Sequence, residues 1–296
     1  MSEQFEILPR PSSSFLDGIL GKAFPVLDHG FIRVIDYMGN DAAVVQAARV
    51  SYGKGTKKLS EDRGLIRYLL RNQHMTPFEM CEIKLHCKLP IFVARQWIRH
   101  RTANVNEYSA RYSEIMDEFY VPEAEQIKLQ SLTNKQGREG KIDTLTAESF
   151  RSACMRTNNE ARELYHGAAN EMGIAREISR INIPVSNYTQ WYWKVDLRNL
   201  LGFLKLRVDS HAQYEIRVYA EAIEKILEGW VPLTMEAWDS YSKSSVTFSK
   251  EEWEIMQRFL LWKVGFRTEM KVNKGSLSSR EKEAFEKLTG IELKED

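Results

Sequence analysis

The sequence predicts an α+β fold with one main domain. The clearest strand runs from Phe78 to Pro90, where apolar and polar side chains alternate and so indicate one buried and one solvated face. Helical segments accompany it, and EDRGLIRYLLRN places Leu65, Leu69 and Leu70 on one face. The chain has 296 residues, 43% of them hydrophobic, which is enough for a sizeable core.

The composition along the chain divides it into a main domain and two extensions. Residues 1–29 contain the breaker-rich stretch PRPSSS and only weak periodicity, which is typical of an extension. The main domain is expected over residues 30–247, with a polar surface insertion at about 123–146. Residues 248–296 are expected to form a charged C-terminal extension.

The first half of the main domain reads as strand, two helices, strand and helix. Partial alternation predicts a strand over Gly30–Met38, and Asn40 or Asp41 can cap a helix over DAAVVQAARV. Ser60 can cap the next helix, EDRGLIRYLLRN. Pro90 ends the alternating strand and begins the helix IFVARQWIRH.

The second half of the chain is predicted to be mainly helical. A long helix is expected from about Ala147 to Met172, and Pro184 ends a shorter one in GIAREISRINIP. The stretch WYWKVDLRNLLGFLKLRVDSHAQYEIRVYAEAI is interpreted as one or two helices with a leucine-rich buried stripe. Ser278 and Glu281 form the signature of a capping box before a terminal helix.

Charge and cysteine content exclude several classes of protein. The net charge of +1 gives no global attraction to nucleic acid or membrane, so any anion site must be local. Three scattered cysteines do not make a disulfide framework, and no CxxC or histidine-rich cluster predicts a metal. No secretory signal pattern and no apolar run of bilayer length is present, so the expected location is the cytoplasm.

The stretch RHRTANVNEYSARYS concentrates positive charge after an apolar helix. Arg99, Arg101 and Arg111 could clamp a phosphate through bidentate bonds, and Ser109 adds a hydroxyl donor. Glu107 could neutralise an arginine or accept from a ligand. A solvated loop with surface ion pairs explains the same residues equally well at this stage.

Three further groups carry potential chemistry. His74 and Glu79 in HMTPFE could act as acid and base, although a histidine bonded within a turn is the simpler interpretation. If LRVDSHAQ is helical, Arg207 and His211 share a face, and an arginine after so apolar a run needs a partner, either an external anion or a carboxylate elsewhere.

The third of these groups is Arg176 and Arg180 in AREISRINIP, which are also four residues apart and could bind an anion. Glu177 lies between them and can pair with either, so an internal ion pair is the stronger interpretation here.

Several motifs are missing from the sequence. There is no GxGxxG or GxxxxGK[ST] loop for a nucleotide, and no GxSxG elbow. No cysteine lies near an obvious base, so a thiolate nucleophile is poorly supported.

The spacing RHR, seven residues, then serine, at Arg99–Ser109, resembles the signature of the flavin-dependent thymidylate synthases. PIFVARQW, SARYS, HMTPFE and LRVDSHAQYEI resemble neighbouring motifs of that family, and the resemblance covers roughly Gly30 to Trp238. It implies a central, mostly antiparallel sheet with long flanking helices, in a homotetramer with active sites between subunits. It also implies methylation of dUMP at C5 to dTMP, with 5,10-methylenetetrahydrofolate, FAD and NADPH.

The family pattern implies roles position by position. The positions that resemble FAD contacts are Ser51, Thr76, Arg99, His100, Arg101, Glu107, Asp196, Arg198 and Gly202. The positions that resemble dUMP contacts are Gln96, Trp97, Ile98, Arg99, Glu107, Tyr108, Ser109, Ala110, Arg111, Arg180 and Arg207. Arg207 matches the catalytic residue that activates the uracil ring, and the flavin or folate environment would include His74, Glu79 and His211.

Two positions depart from the family pattern. Asp196 and Gly202 stand where members often have asparagine, so the amide contacts to the flavin are expected to change. A family member that has lost activity is therefore one alternative. A nucleic-acid-binding module is another, since Trp97, Tyr108 and Tyr112 interleave with the arginines, but the net charge and the lack of an extended basic stripe argue against it.

Overall fold

The structure is a computed structural model that describes residues 10–50, 59–132, 135–254, 256–257, 269–272, 279–289 and 292–295. The chain forms two compact units, Met1–Trp238 and Asp239–Asp296. In the described residues, no helix is long and apolar enough to cross a membrane.

The first unit is built on one antiparallel sheet, which confirms the α+β prediction. Its strands are β1 (Ala23–Val26), β2 (Gly30–Met38), β3 (Glu82–Pro90), β4 (Asn104–Glu107) and β7 (Tyr188–Asp196). They lie in the order β1-β2-β3-β7-β4, and every neighbouring pair is antiparallel. β1 lies in the segment predicted as an extension. Its backbone pairs with β2 from Ala23 to Val26, so this part of the segment belongs to the sheet.

The helices of this unit are α1 (Ser14–Asp17), α2 (Asp41–Val50), α3 (Leu59–Arg71), α4 (Ile91–Trp97), α5 (Thr144–His166), α6 (Arg176–Ser179), α7 (Leu197–Arg207), α8 (Tyr214–Trp230) and α9 (Pro232–Trp238). The side chain of Asn40 accepts a hydrogen bond from the Ala43 amide and so caps α2. The predicted long helix begins at Thr144, where the Asp143 side chain caps it, and a π-helical turn, Gly167–Glu171, follows it. The cap predicted at Ser60 lies inside α3, which already includes Leu59.

The alternation in β3 is confirmed by burial. Cys81, Ile83, Leu85, Cys87 and Leu89 are all fully buried. The strand itself begins at Glu82, because the preceding residues Thr76–Met80 form a 3₁₀ helix.

The predicted helix over Trp191–Asp196 is wrong, because these residues form the second half of β7. Trp191, Trp193 and Val195 are buried whereas the residues between them are not, and this period of two belongs to a strand. The leucine-rich stripe begins only at Leu197, where α7 starts.

An aromatic core joins this sheet to the helices that carry the site. The ring of Trp97 stacks on Phe203 at 4.8 Å between centroids and meets Trp191, Trp193 and Tyr219 edge-on. This packing fixes the ends of α4 and α7 against β7; Arg99 and Arg101 follow the end of α4, and Arg207 is the last residue of α7.

The predicted insertion contains a small hairpin, β5 (Leu129–Gln130) with β6 (Arg138–Glu139), and a 3₁₀ turn at Ala124–Gln126. The second unit contains a parallel pair, β8 (Glu269–Val272) and β9 (Glu292–Glu295), and a helix, α10 (Ser279–Thr289). The terminal helix is thus where the sequence predicts it, but Ser278 of its capping box lies outside the described residues.

Candidate active site

The RHR stretch follows the end of a helix. α4 ends at Trp97 with Ile98 as its C-cap, so Arg99, His100 and Arg101 lie in the link to β4. The predicted helix through His100 is therefore too long by one turn. Arg99 and Arg101 are exposed, and His100 is half-buried against the ring of Phe203.

Arg207 lies against His100, its neighbour in space. α7 ends at Arg207, whose Nε donates to Nε2 of His100 at 3.1 Å. Burial and the Arg207 charge lower the pKa of His100, so the imidazole is neutral at pH 7 and accepts this bond. The guanidinium is thereby oriented through Nε, and its two terminal NH₂ groups remain available.

The charges of this arginine cluster (Arg99, His100, Arg101 and Arg207) are not neutralised internally. Burial and the Arg99 charge lower the pKa of Arg207, which shows that two guanidinium groups lie close together. Among the residues that the structure describes, no carboxylate lies within 4.0 Å of the arginine side chains of this cluster. Like charges held together without a counter-ion make an anion-binding site.

Gln96 and Ile98 lie beside this cluster, but Trp97 does not. Gln96 Nε2 donates to Oε1 of Gln213, and Ile98 is exposed. The indole of Trp97 is fully buried in the aromatic core, so its side chain cannot bind dUMP as the family pattern implied. Only the Trp97 backbone can contribute there.

A second group of the predicted dUMP residues lines a cavity of about 370 Å³, the loop pocket. Glu107, Tyr108, Ser109 and Ala110 form one wall, and Arg180 lies in another. The Tyr108 amide donates to the Gln190 carbonyl at 2.8 Å, which ties this loop to β7. The residues that line this pocket in the single chain do not include Gln96, Arg99 or Arg207.

The charged residues around the loop pocket differ in whether another side chain already binds them. Thr189 Oγ1 donates to Glu107 Oε1 at 2.7 Å, so Glu107 does not neutralise an arginine. Glu177 pairs with Arg111 at 3.0 Å rather than with its neighbours on α6. Arg180, in the described part of the chain, has no ion-pair partner and is free to bind a ligand.

A third group joins the 3₁₀ helix Thr76–Met80 to α7. Arg198 Nη1 donates to Glu79 Oε1 at 2.7 Å, and Thr76 is exposed beside them. Glu79 is therefore the counter-ion of a predicted flavin contact rather than a free acid or base.

The two departures from the family pattern differ in their consequence. Asp196 caps α7, and its carboxylate accepts from the Asn199 amide at 2.9 Å and from the Asn199 side chain at 2.5 Å. These two bonds occupy both of its oxygens, so the predicted flavin contact of Asp196 competes with the cap. Gly202 is exposed on α7, and a Cβ there would meet nothing within 4 Å.

Of the remaining predicted residues, His74 and His211 have contacts of their own and Ser51 cannot be placed among these groups. His74 is exposed and meets the Tyr68 ring edge-on. His211 bonds Asp209 at 2.8 Å, and because α7 has already ended, it does not share a helix face with Arg207. Ser51 lies outside the described residues.

The three cysteines are poor nucleophiles. Burial raises the pKa of Cys81 to about 12 and also raises the pKa values of Cys87 and Cys154. No cluster of three or more metal-ligating side chains occurs in the part of the chain that the structure describes.

Sequence reasoning missed Glu215, which is 2% exposed and accepts a hydrogen bond from the side chain of Gln213. The available signal was its place in the buried stripe of α8, four residues before Tyr219 and eight before Ile223. An acidic residue on such a stripe requires a polar partner.

Comparison with known proteins shows the family. The model of the family described as thymidylate synthase complementing protein (Thy1) matches residues 33–233. A flavin-dependent thymidylate synthase of Gluconobacter oxydans is 54% identical over 257 residues, with 86% of this chain and 85% of the relative covered. One of Ruegeria pomeroyi is 50% identical over 285 residues, with 95% and 92% covered.

A solved structure shares the fold. The UMP/dUMP methylase PolB of Streptomyces cacaoi, bound with 5-Br UMP, is 34% identical and has a TM-score of 0.67. The match covers 74% of this chain and 97% of the methylase. Together with the intact RHR-x7-S motif, these matches establish that the chain belongs to the thymidylate synthase complementing protein family, which includes the flavin-dependent thymidylate synthases.

Proposed function

We propose that this protein converts dUMP to dTMP as a flavin-dependent thymidylate synthase. The methylene of 5,10-methylenetetrahydrofolate is transferred to C5 of dUMP and reduced with a hydride from FAD that NADPH has reduced, and tetrahydrofolate leaves. The observation that carries the proposal is the arginine cluster, which holds Arg99 and Arg207 together without a carboxylate.

The two groups of substrate residues suit two parts of dUMP. Arg180 and the Ser109 hydroxyl offer donors to the phosphate in the loop pocket, and Arg111 joins them once released from Glu177. Gln96, Arg99 and Arg207 offer polar groups to the pyrimidine and sugar. The donor set therefore fits a nucleotide monophosphate.

Arg207 is proposed to activate the uracil ring. A fixed cation beside the pyrimidine favours an N3-ionised or enolate-like ring, which is more nucleophilic at C5. The bond from Nε to neutral His100 holds the guanidinium, so little reorganisation is needed when substrate binds. The cysteines, buried and with raised pKa values, take no part.

The residues that would hold FAD are Thr76, Arg99, His100, Arg101, Glu107 and Arg198. Two arginines without carboxylate partners fit a diphosphate, and Arg198 lies on the neighbouring helix α7. When bound, the flavin supplies the hydride that completes the methyl group. Gly202 contributes no side chain to this site, and Asp196 is already engaged as a cap.

We also propose that the protein is a cytoplasmic homotetramer with active sites between subunits. This arrangement would bring the loop pocket of one subunit to the arginine cluster of another. Exposed apolar side chains near both groups support it: Ile98, Val105, Tyr108, Ile178, Ile181 and Val185. Light scattering should give a mass four times the 34.5 kDa of one chain.

The first experiment is a visible spectrum of the FAD-loaded protein under anaerobic conditions. NADPH should bleach the flavin, dUMP should change the rate or the spectrum, and addition of methylenetetrahydrofolate should yield dTMP by chromatography. Failure to retain flavin, or bleaching that never leads to dTMP, contradicts the proposal. Salt-sensitive binding of oligonucleotides with no effect of dUMP would instead support a nucleic-acid-binding module.

A further inference from the structure

Glu215 is a buried carboxylate held by three donors. Tyr120 OH and Arg138 Nη1 donate to Oε1 at 3.2 and 3.0 Å, and Gln213 Nε2 donates to Oε2 at 2.8 Å. Burial and the Glu215 charge raise the pKa of Tyr120, so its hydroxyl keeps its proton at neutral pH. Glu215 is the acceptor in all three of these hydrogen bonds.

This carboxylate determines which way two amides point. Because Gln213 gives its NH₂ group to Glu215, its Oε1 faces away and accepts from Nε2 of Gln96. Gln96 in turn has its Oε1 left over. An isolated side-chain amide can exchange the positions of its oxygen and its NH₂ group at little cost in free energy. The charged acceptor Glu215, at one end of this series of hydrogen bonds, removes that freedom.

We propose that Glu215 is a positioning residue that acts through Gln213 to present the carbonyl oxygen of Gln96, rather than its NH₂ group, to the nucleotide. The inference rests on the proposed placement of dUMP beside Gln96. The group recognised is a hydrogen-bond donor of the nucleotide, the sugar 3′-hydroxyl, because N3 of a ring ionised beside Arg207 has no proton to donate. The series of hydrogen bonds from Glu215 through Gln213 to Gln96, the relay, thus makes this part of the site selective for hydrogen-bond donors.

The polar insertion takes part in this relay through Arg138, which lies on β6. Its guanidinium is the cation that balances buried Glu215, and it also lies over the ring of Tyr214 at 5.6 Å from the centroid. Without that charge the carboxylate would be costly to bury. The insertion therefore stabilises an element of the substrate site.

The test is reciprocal rescue, measured as the dUMP dissociation constant of the full-length, FAD-loaded protein by calorimetry. In Gln96→Glu, a carboxylate faces the fixed oxygen of Gln213, so the dissociation constant should rise about tenfold or more. In Glu215→Gln, Gln213 is free to turn, and a rise of about threefold is expected.

The double variant, which combines Gln96→Glu with Glu215→Gln, is decisive. With an amide at position 215, Gln213 can turn its NH₂ group to the new carboxylate at position 96, which still offers an oxygen to the nucleotide. The double variant should therefore bind dUMP more tightly than Gln96→Glu alone. If Glu215 had a purely structural role, the losses of dUMP affinity in the two single variants would add. The double variant would then bind dUMP more weakly than Gln96→Glu alone. A double variant no tighter than Gln96→Glu overturns the proposal.

A second pair of variants decides the matter if Glu215→Gln does not fold. Gln213→Ala removes the opposing oxygen on an exposed residue, so it should also relieve the defect of Gln96→Glu, and failure to do so overturns the relay. Glu221→Gln, on the exposed part of the same helix, is the matched control and should leave dUMP affinity unchanged.

Two further comparisons complete the design. 2′,3′-Dideoxyuridine monophosphate lacks the hydroxyl, so its affinity should be the same in the wild type and in Glu215→Gln, and a difference that persists would overturn the assignment of the hydroxyl. Wild-type protein that does not bind dUMP at all would refute the proposed function and this inference with it. Wild-type binding without rescue would refute the inference alone.

Discussion

At the scale of single residues, Arg207 is oriented by one hydrogen bond to a histidine whose ring packs against an aromatic residue. Arg207 donates to neutral His100, and the His100 ring rests on Phe203. The side chain proposed to activate the uracil ring is thus supported by residues that need not touch the substrate. Truncation of such a group removes both a charge and an oriented donor.

Arg207→Ala should lower the rate of dTMP formation by about 10²–10³-fold with FAD still bound, because one oriented donor to the developing charge is lost. Flavin content from visible absorbance and turnover from chromatography check this. Arg207→Lys is the matched control, since it keeps the charge but not the planar fork, and it should also be strongly impaired. Turnover near the wild-type rate in Arg207→Ala would remove the residue from the mechanism.

Gly202→Ala should stabilise α7 by about 0.5–1 kcal/mol, since the position is helical, exposed and open to a Cβ. Gly202→Asn should additionally raise FAD affinity, because an asparagine at this position restores the amide typical of the family. Denaturant titration and flavin titration separate the two effects. Equal FAD affinity in both variants would show that Gly202 does not face the flavin.

Ser109→Ala should weaken dUMP binding yet leave measurable turnover, because the serine is a donor in the loop pocket and not a nucleophile. The expected loss is about 0.5–1.5 kcal/mol, the net value of one hydrogen bond. Calorimetry with dUMP and a turnover assay are sufficient. Complete loss of turnover with unchanged dUMP affinity would contradict this role.

At the scale of elements, α6 and the loop after β4 are joined by two crossed ion pairs. Arg111 meets Glu177 at 3.0 Å, and Arg176 meets Glu114 at 3.5 Å. Both pairs are about half exposed, so each contributes little to stability. Their consequence is local, because the proposed role of Arg111 requires it to exchange Glu177 for the phosphate of dUMP.

Glu177→Gln should therefore tighten dUMP binding, by at most about fivefold, since an exposed pair is worth under about 1 kcal/mol. The affinity of the FAD-loaded protein for dUMP measures this. Glu114→Gln is the control, because its partner Arg176, unlike Arg111, is not one of the predicted dUMP contacts. Weaker binding in Glu177→Gln would mean that the carboxylate orients Arg111 rather than competing for it.

At the scale of the whole molecule, the antiparallel sheet and its aromatic core hold the site residues from segments far apart in sequence. Two histidines on this scaffold carry lowered pKa values, and burial is the main cause at both His86 and His100. Both are neutral in the folded protein. Their contribution to stability is complete above the unfolded value of about 6.5 and is lost as the pH falls below it.

The free energy of unfolding should accordingly fall between pH 7 and pH 5, as the unfolded chain takes up protons that His86 and His100 do not. Urea titrations at several pH values measure the slope. His86→Gln, which keeps a polar group near Gln190, should reduce that slope. An unchanged slope would mean that His86 protonates as readily in the folded protein as in the unfolded one.

Much of this architecture was predictable because it depends on local patterns. The alternation of β3, the cap at Asn40 and the stripe of α7 each lie within a few neighbouring residues. The error at β7 arose where two aromatic-rich patterns adjoin, so that a strand of period two was interpreted as the start of the helix that follows it. The position of β1 was missed because it is supported by distant parts of the chain, through pairing with β2 and packing against α8.

The candidate site was predictable in its residue types but not in their partners. The sequence by itself determined the family, the crowding of arginines and the lack of a cysteine near an obvious base, because these are properties of composition and spacing. Only the tertiary structure decided that Arg207 donates a hydrogen bond to His100, 107 positions away, and that Trp97 belongs to the core. It also decided that Gln213 links Glu215 to Gln96. The physical reason is that a side chain's charge, exposure and orientation are set by the groups packed against it, and those groups come from distant parts of the chain.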